Sequence, residues 1–184
     1  MTGDRAGHEI VYSEETISTR VRELGSEVSD AYSEEDRLVV IGVLKGSFLF
    51  LADLVRAIAV PHEIDFLIAS SYGDTMVSSG QVEFRCDPRT DVKGRAVLLV
   101  EDVIDSGMTM SKLVPRIESL GASRVDVISL LHKRVSAESL EPRWVGFDAP
   151  KSFLVGYGLD HAEAFRHLPY IAVSYTHLTL PTKA

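Results

Sequence analysis

The chain has 184 residues, 45% of them hydrophobic and 25% charged, and this composition predicts one globular domain. Its formal net charge of -8 gives no general attraction to nucleic acid, and Cys86, the only cysteine, excludes an intramolecular disulfide. Because no apolar run approaches the roughly 20 residues that span a bilayer, and the amino terminus shows no basic segment followed by an apolar signal core, we expect a cytoplasmic protein without a membrane partner.

Helices and strands alternate along the predicted chain. An amphipathic helix is predicted after Ser13, which can cap it, because four apolar residues between Ile17 and Val28 fall on one helical face. A strand-helix-strand unit follows, with its elements at 38–44, 46–58 and 64–69. The later predicted elements are strands at 81–86, 96–100 and 125–131, a helix at 109–120, and short extended pieces near 144–147, 153–155 and 170–173.

The most informative stretch is 97–109, VLLVEDVIDSGMT. Its four aliphatic residues at 97–100 are typical of a strand buried on both faces, as in the parallel sheets of α/β proteins. Glu101 and Asp102 follow directly, and a turn of small residues comes next at 105–109. Because such sheets bind ligands beyond the carboxyl ends of their strands, this stretch predicts a nucleotide or sugar-phosphate site.

The residue types after this strand suit a phosphorylated sugar. Adjacent carboxylates can accept hydrogen bonds from vicinal ribose hydroxyls and can help to hold Mg²⁺, directly or through water. Gly107 lets successive backbone N–H groups converge on an anion, Ser106 and Thr109 add hydroxyl donors, and the next helix adds its positive amino-terminal end. A motif this short is also compatible with an ordinary capped turn beside solvated acids, so it is the full order of acids and turn that favours function.

Residues 100–109, VEDVIDSGMT, contain the acids followed by the turn, and this stretch resembles the phosphoribosyl-pyrophosphate motif of type I phosphoribosyltransferases. Four further stretches resemble the hypoxanthine-guanine phosphoribosyltransferases, namely LKGS at 44–47, SSYG at 70–73, LHKR at 131–134 and FLVGYGLD at 153–160 with Phe165-Arg166. The resemblance covers about residues 8–173. It implies the type I phosphoribosyltransferase fold, an α/β fold whose mainly parallel central sheet is flanked by helices and joined by a small hood region and a mobile lid loop.

The resemblance also implies a reaction in purine salvage. The 5-phosphoribosyl group would pass from phosphoribosyl pyrophosphate to N9 of hypoxanthine or guanine, forming IMP or GMP and pyrophosphate. It further implies Mg²⁺ as cofactor and a homodimer or homotetramer. Nucleic acid is not expected among the partners, because the net charge is negative and the charged residues are scattered. A xanthine-preferring phosphoribosyltransferase and a non-catalytic regulator that senses phosphoribosyl pyrophosphate remain alternatives.

Several residues take a role in base recognition from the family match. Asp105 occupies the acid-base position, where its carboxylate can take or share a proton of purine N7, and it is the predicted catalytic residue. Lys133 would donate to the purine 6-oxo group, Phe153 would stack on the base, and the backbone of Leu154 would pair with the base edge. By themselves, these residues also suit a surface lysine and core side chains.

Another set takes a role around pyrophosphate. Lys45 and Arg166 would stabilise the leaving group together with Mg²⁺, whose predicted ligands are Glu101, Asp102 and Asp160. The family also shows a cis peptide bond before the position of Lys45. The full predicted set of substrate-binding residues is Lys45, Gly46, Ser71, Tyr72, Glu101, Asp102, Asp105, Ser106, Gly107, Met108, Thr109, Lys133, Phe153, Leu154, Asp160 and Arg166.

A lid is expected in the polar stretch 70–80, which has too few apolar residues to form a core of its own. The family match places Ser71 and Tyr72 in this lid. Its closure over the reacting sugar would exclude water, which competes with the purine for a centre of oxocarbenium character.

The last eleven residues, 174–184, have no family correspondence, whereas residues 1–173 read as a single phosphoribosyltransferase domain. We hypothesise that this tail is foreign sequence from a frameshift, a read-through or an assembly error. Mass analysis of the protein from its native source would refute the hypothesis by finding these residues. None of the predicted site residues lies in the tail.

Overall fold

The computed structural model describes residues 9–71, 82–86, 88–134 and 140–174, and it describes no side chains at 69–71 and 82–86. In chain order the elements are β1 (Glu9–Tyr12), α1 (Glu14–Ala31), a short 3-10 turn (Glu34–Asp36), β2 (Val39–Leu44), α2 (Phe48–Ala57), β3 (Glu63–Ser71), β4 (Val82–Cys86), β5 (Ala96–Ile104), α3 (Met108–Ser119), β6 (Arg124–His132), β7 (Trp144–Asp148), β8 (Leu154–Val155) and β9 (Ile171–Val173). The predicted cap of the first helix is confirmed, since the Ser13 hydroxyl accepts a hydrogen bond from the Thr16 backbone N–H at 3.2 Å.

Six strands form the central sheet in the order β4-β3-β2-β5-β6-β7. β4 pairs antiparallel with β3, and the other five strands are parallel. The predicted mainly parallel α/β fold is therefore confirmed. The central strands are continuous apolar runs because helices cover both faces of the sheet.

Successive side chains along each central strand point to opposite faces of the sheet. Val40 and Leu98 pack in a core with α1 and α2. Ile41 and Leu99 pack in a second core with α3. With both faces covered, the polar residues that follow the strands emerge at the ends of the sheet, which is where a ligand can reach them.

The predicted end of the central strand at Val100 is wrong. β5 continues to Ile104 because its parallel ladder with β6 goes on, with Glu101 opposite Ser129 and Ile104 opposite His132. Glu101 and Asp102 are thus held by the sheet itself, and the turn of small residues begins only after Ile104.

A second, three-stranded sheet has the order β1-β9-β8 and forms the hood region. The sequence analysis missed β1 because a four-residue strand carries little periodicity and its partner β9 lies near the other end of the chain. Ser174 extends this region, since its side chain is buried and its N–H donates to the Phe153 carbonyl at 3.0 Å. Residues 175–184 lie outside the described part of the chain, so the hypothesis of a foreign tail stays a prediction.

Within the described residues, none of the helices combines the length and the apolar character that crossing a membrane requires.

Candidate active site

Three neighbouring parallel strands bring the predicted site residues to one edge of the sheet. β2, β5 and β6 lie side by side and end at this edge. Lys45 and Gly46 follow β2, Asp105 follows β5 and Lys133 follows β6. The peptide bond between Leu44 and Lys45 is cis. Residues that are far apart in the sequence therefore meet at one edge of the sheet.

Gly46 packs directly against the acidic pair of β5. A side chain at Gly46 would overlap the Asp102 carboxylate, so only glycine allows this approach. Gly158 of the hood region makes a similar close approach on the other side, because a side chain there would overlap the Gly46 carbonyl oxygen. The loop after β2 is thus held between β5 and the hood region.

The two adjacent carboxylates of β5 are placed where a positive charge would stabilise them. Glu101 is 8% exposed, and burial raises its pKa well above its ordinary value, as does the nearby charge of Asp102. Burial also raises the pKa of Asp102, while the charge of Arg166 acts in the opposite direction. The Asp102 carboxylate accepts a hydrogen bond from the Val103 N–H at 2.9 Å, which orients it.

The turn after β5 leads into α3 with the geometry expected of an anion cradle. Gly107 has a φ of 73°, in the left-handed region that favours glycine, and it caps α3. Asp105 and Ser106 are exposed, and Met108 and Thr109 begin the helix. The first N–H groups of a helix have no partner inside it, so this end of α3 offers donors and a positive dipole at the same edge of the sheet.

Asp105 and Lys133 meet across the ends of β5 and β6. The Lys133 ammonium lies 3.1 Å from an Asp105 carboxylate oxygen. The Lys133 backbone N–H also donates to the Ile104 carbonyl at 2.9 Å, so the loop after β6 is tied to the end of β5. The predicted acid-base residue and the predicted donor to the base are therefore in direct contact.

The hood region carries the residues predicted to bind the base from the other side. Phe153 is 44% exposed, which is uncommon for a large aromatic side chain and leaves part of its ring available. Its ring meets the edge of the His161 ring at 5.3 Å between centroids. Leu154 is buried in β8 opposite Val173, so its backbone is fixed by the small sheet.

A charged cluster closes the site on the hood side. The Arg166 guanidinium lies 2.8 Å from an Asp160 carboxylate oxygen and donates to the Gly158 carbonyl at 2.8 Å. Lys45 binds Glu163, with its ammonium 3.1 Å from each carboxylate oxygen. Glu163 also lies 3.5 Å from Arg166, so the two cations predicted for pyrophosphate share one acidic partner.

The donors present suit a cation that is held partly by substrate. In the described part of the chain, no three His, Cys, Asp or Glu side chains gather into a metal-binding group, so Asp160 does not join Glu101 and Asp102 in one ligand set. Mg²⁺ is usually bound by one or two carboxylates together with waters and substrate phosphates, which does not require such a cluster. The adjacent carboxylates of Glu101 and Asp102 fit that pattern.

Two predicted residues cannot be placed and two others were missed. Ser71 ends β3 with no description of its side chain, and Tyr72 lies outside the described residues, as does most of the expected lid. Glu163 and Gly158 were not predicted, although both lie in the stretch that resembles the family. The one feature of the sequence that could have indicated Glu163 is its position, as an acidic residue between Asp160 and Arg166.

The chain matches known proteins along most of its length. A family model described as a phosphoribosyl transferase domain matches residues 8–162. The hypoxanthine-guanine phosphoribosyltransferase of Bacillus subtilis is 44% identical over 165 residues, which cover 89% of this chain and 91% of that protein. The hypoxanthine phosphoribosyltransferase of Buchnera aphidicola is 42% identical over 164 residues, covering 88% of this chain and 93% of that protein.

Solved structures agree with these sequence matches. A hypoxanthine phosphoribosyltransferase from Staphylococcus aureus has a TM-score of 0.86 at 32% sequence identity, over 93% of this chain and 94% of that chain. Similarity of fold and sequence over this length, together with the residues gathered at the sheet edge, identifies the family to which the chain belongs. The chain belongs to the phosphoribosyl transferase family and, within it, to the hypoxanthine-guanine phosphoribosyltransferases.

Proposed function

We propose that this protein is a purine-salvage enzyme that transfers the 5-phosphoribosyl group of phosphoribosyl pyrophosphate to N9 of hypoxanthine or guanine, releasing pyrophosphate. The observation that carries the proposal is the 3.1 Å contact between Lys133 and Asp105. The 6-oxo group and N7 lie next to each other on one edge of a 6-oxopurine. A cationic donor beside a carboxylate acceptor is complementary to that edge, and to no equivalent edge of adenine, whose 6-amino group is not an acceptor.

In this proposal, Asp105 activates the purine. Its carboxylate takes or shares the proton at N7 while N9 attacks the sugar carbon, so the purine does not accumulate positive charge. Lys133 holds the 6-oxo group and thereby aligns N7 with the carboxylate. The exposed ring of Phe153 supplies a stacking surface for the base.

Departure of pyrophosphate requires that its growing negative charge be stabilised. As the bond from the sugar to pyrophosphate lengthens, the sugar gains oxocarbenium character and the diphosphate gains negative charge. Lys45, directly after β2, and Arg166, in the segment between β8 and β9, are positioned to stabilise that charge. Ser106 and Gly107, in the turn before α3, bind the 5-phosphate together with Met108 and Thr109 at the start of the helix, and the adjacent acids of β5 accept hydrogen bonds from the ribose hydroxyls.

A divalent cation completes the proposal. Mg²⁺, when bound, would neutralise diphosphate charge, and Glu101 and Asp102 are the residues proposed to hold it, directly or through water. Asp160 contributes from the hood side by fixing Arg166.

The proposed reaction predicts a base preference that depends on Lys133. The protein should form IMP from hypoxanthine and GMP from guanine, and Lys133→Gln should lower kcat/KM for both by about tenfold or more, because a hydrogen bond to a charged donor is lost. The measurement is a Mg²⁺-dependent assay with phosphoribosyl pyrophosphate and hypoxanthine, guanine, xanthine, adenine and uracil in turn. Lys151→Gln, at an exposed lysine, is the matched control and should be unchanged.

Other outcomes of this assay would support other functions. Preferential use of xanthine would replace the proposed substrates. Binding of phosphoribosyl pyrophosphate without turnover of any base would indicate a sensing regulator. The named relatives favour neither alternative.

We also propose that the chain assembles into a homodimer or homotetramer. Ile64, Phe66 and Ile68 lie on one face of β3 and are 40% to 46% exposed, and a row of exposed apolar side chains of this kind is typical of a protein–protein contact surface. Light scattering after size exclusion should give two or four times the chain mass of 20.2 kDa, and Phe66→Asp should lower it. A monomer at micromolar concentration would contradict the proposal.

A further inference from the structure

The Glu163 carboxylate lies between the two cations assigned to pyrophosphate. Both of its oxygens are 3.1 Å from the Lys45 ammonium, and one is 3.5 Å from the Arg166 guanidinium. The hydrogen bond from Lys45 lowers the pKa of Glu163 below its ordinary value, as do the positive charge of Lys45 and, more weakly, that of Arg166. A carboxylate therefore occupies the place at which these cations would meet a diphosphate.

The local backbone holds Glu163 in this position. Its N–H donates to an Asp160 carboxylate oxygen at 2.9 Å, and the paired hydrogen bonds between His161 and Ala164 close the turn around it. Glu163 has a φ of 65° and Ala162 a φ of 51°, both in the left-handed region that such residues seldom adopt. The conformation that presents this carboxylate to Lys45 is thus maintained by the turn.

The two cations differ in how firmly they are held without Glu163. Arg166 retains Asp160 and the Gly158 carbonyl, each at 2.8 Å, so its guanidinium stays oriented when Glu163 moves. Lys45 and Glu163 have side chains that are 67% and 65% exposed, and ion pairs at such exposure contribute little free energy. An arriving diphosphate, with more charge than one carboxylate, can displace Glu163 at small cost.

We propose that Glu163 is an internal counter-anion that competes with the diphosphate for Lys45 and Arg166 and so sets the affinity for phosphoribosyl pyrophosphate and the release of pyrophosphate. This inference rests on the proposed function. Glu163 acts here through the two cations and is a positioning residue. Its exchange with the diphosphate keeps both cations paired before substrate binds and after product leaves.

The test is the affinity for inorganic pyrophosphate, measured by isothermal titration calorimetry at saturating Mg²⁺. Glu163→Gln keeps the length of the side chain and removes its charge, so pyrophosphate should bind roughly two- to tenfold more tightly, the range expected from the loss of two exposed ionic contacts. The KM for phosphoribosyl pyrophosphate should fall by a similar factor without a rise in kcat. Weaker or unchanged pyrophosphate binding would overturn the proposal.

Two further variants separate competition from changes in net charge or folding. Glu23→Gln removes an exposed partner of Arg20 on α1 and should leave pyrophosphate affinity unchanged. Equal tightening in Glu23→Gln would mean that overall charge is responsible and would overturn the inference. Glu163→Asp restores the charge with a residue that tolerates the left-handed region, and it should return the affinity toward that of the unaltered protein.

The unaltered protein distinguishes this inference from the function on which it rests. If it fails to bind pyrophosphate, the proposed function is overturned and the inference with it. If it binds pyrophosphate and Glu163→Gln binds with the same affinity, only the role of Glu163 is overturned.

Discussion

Replacing Asp105 by Asn should lower kcat for IMP formation by roughly 10²- to 10⁴-fold, the range for removing a general acid-base group. Asn keeps the shape of the side chain and its contact distance to Lys133, but it cannot take the proton at N7. Asp105 lies in the turn after β5 rather than in the core, so the fold should be retained. Steady-state kinetics with hypoxanthine provides the measurement.

Two further measurements test the acid-base role of Asp105. Pyrophosphate affinity should change little in Asp105→Asn, because Lys45 and Arg166 are untouched. Asp36→Asn, in the exposed 3-10 turn before β2, is the matched control and should retain full kcat. An Asp105→Asn protein with nearly normal kcat would remove Asp105 from the acid-base role and leave it a binding residue.

Replacing Gly46 by Ala should reduce kcat/KM by about 10²-fold, because the new methyl group takes the space of the Asp102 carboxylate. The carboxylate can avoid the overlap only by turning away from Gly46 or by pushing back the loop that carries Lys45. Either change misplaces a group that is proposed to contact substrate. Kinetics over a range of Mg²⁺ concentrations would measure the effect, and the concentration for half-maximal activity should rise.

Gly94→Ala separates this site-specific effect from ordinary glycine strain. Gly94 has a φ of 67°, and the nearest atom to a new side chain would be 3.6 Å away, on Arg37. Alanine there should cost about 1 kcal/mol of unfolding free energy without loss of activity. If Gly46→Ala were no less active than Gly94→Ala, the close packing of Gly46 on Asp102 would not matter for the reaction.

The central part of the fold was predictable because its signals are local. Apolar runs at β2 and β5 are long enough to indicate strands covered on both faces, and the small residues after β5 indicate a turn into a helix. Two features lacked such signals. β1 has four residues and a distant partner, and the last four residues of β5 are strand only because β6 continues the ladder beside them.

Most residues of the candidate site were predicted from the family resemblance, but several contacts among them were not. Resemblance to the family indicated Asp105, Lys133, Lys45 and Arg166 one residue at a time. It did not indicate that Glu163 binds Lys45, or that Gly46 lies between Asp102 and Gly158. The contacts of Lys45 with Glu163 and of Gly46 with Gly158 join the loop after β2 to a segment more than a hundred positions further along the chain.

The chemistry that this protein can offer follows from local sequence, namely adjacent acids, a glycine-containing turn at a helix start, and lysine and arginine near the ends of elements. Those features are local because backbone conformation and side-chain type are set within a few residues. Which of these groups meet depends on the packing of distant segments. The pairing of β5 with β6 brings Asp105 to Lys133, and the packing of the segment between β8 and β9 on Gly46 brings Glu163 to Lys45, each pair about 3 Å apart. No local pattern encodes a distance between such remote segments.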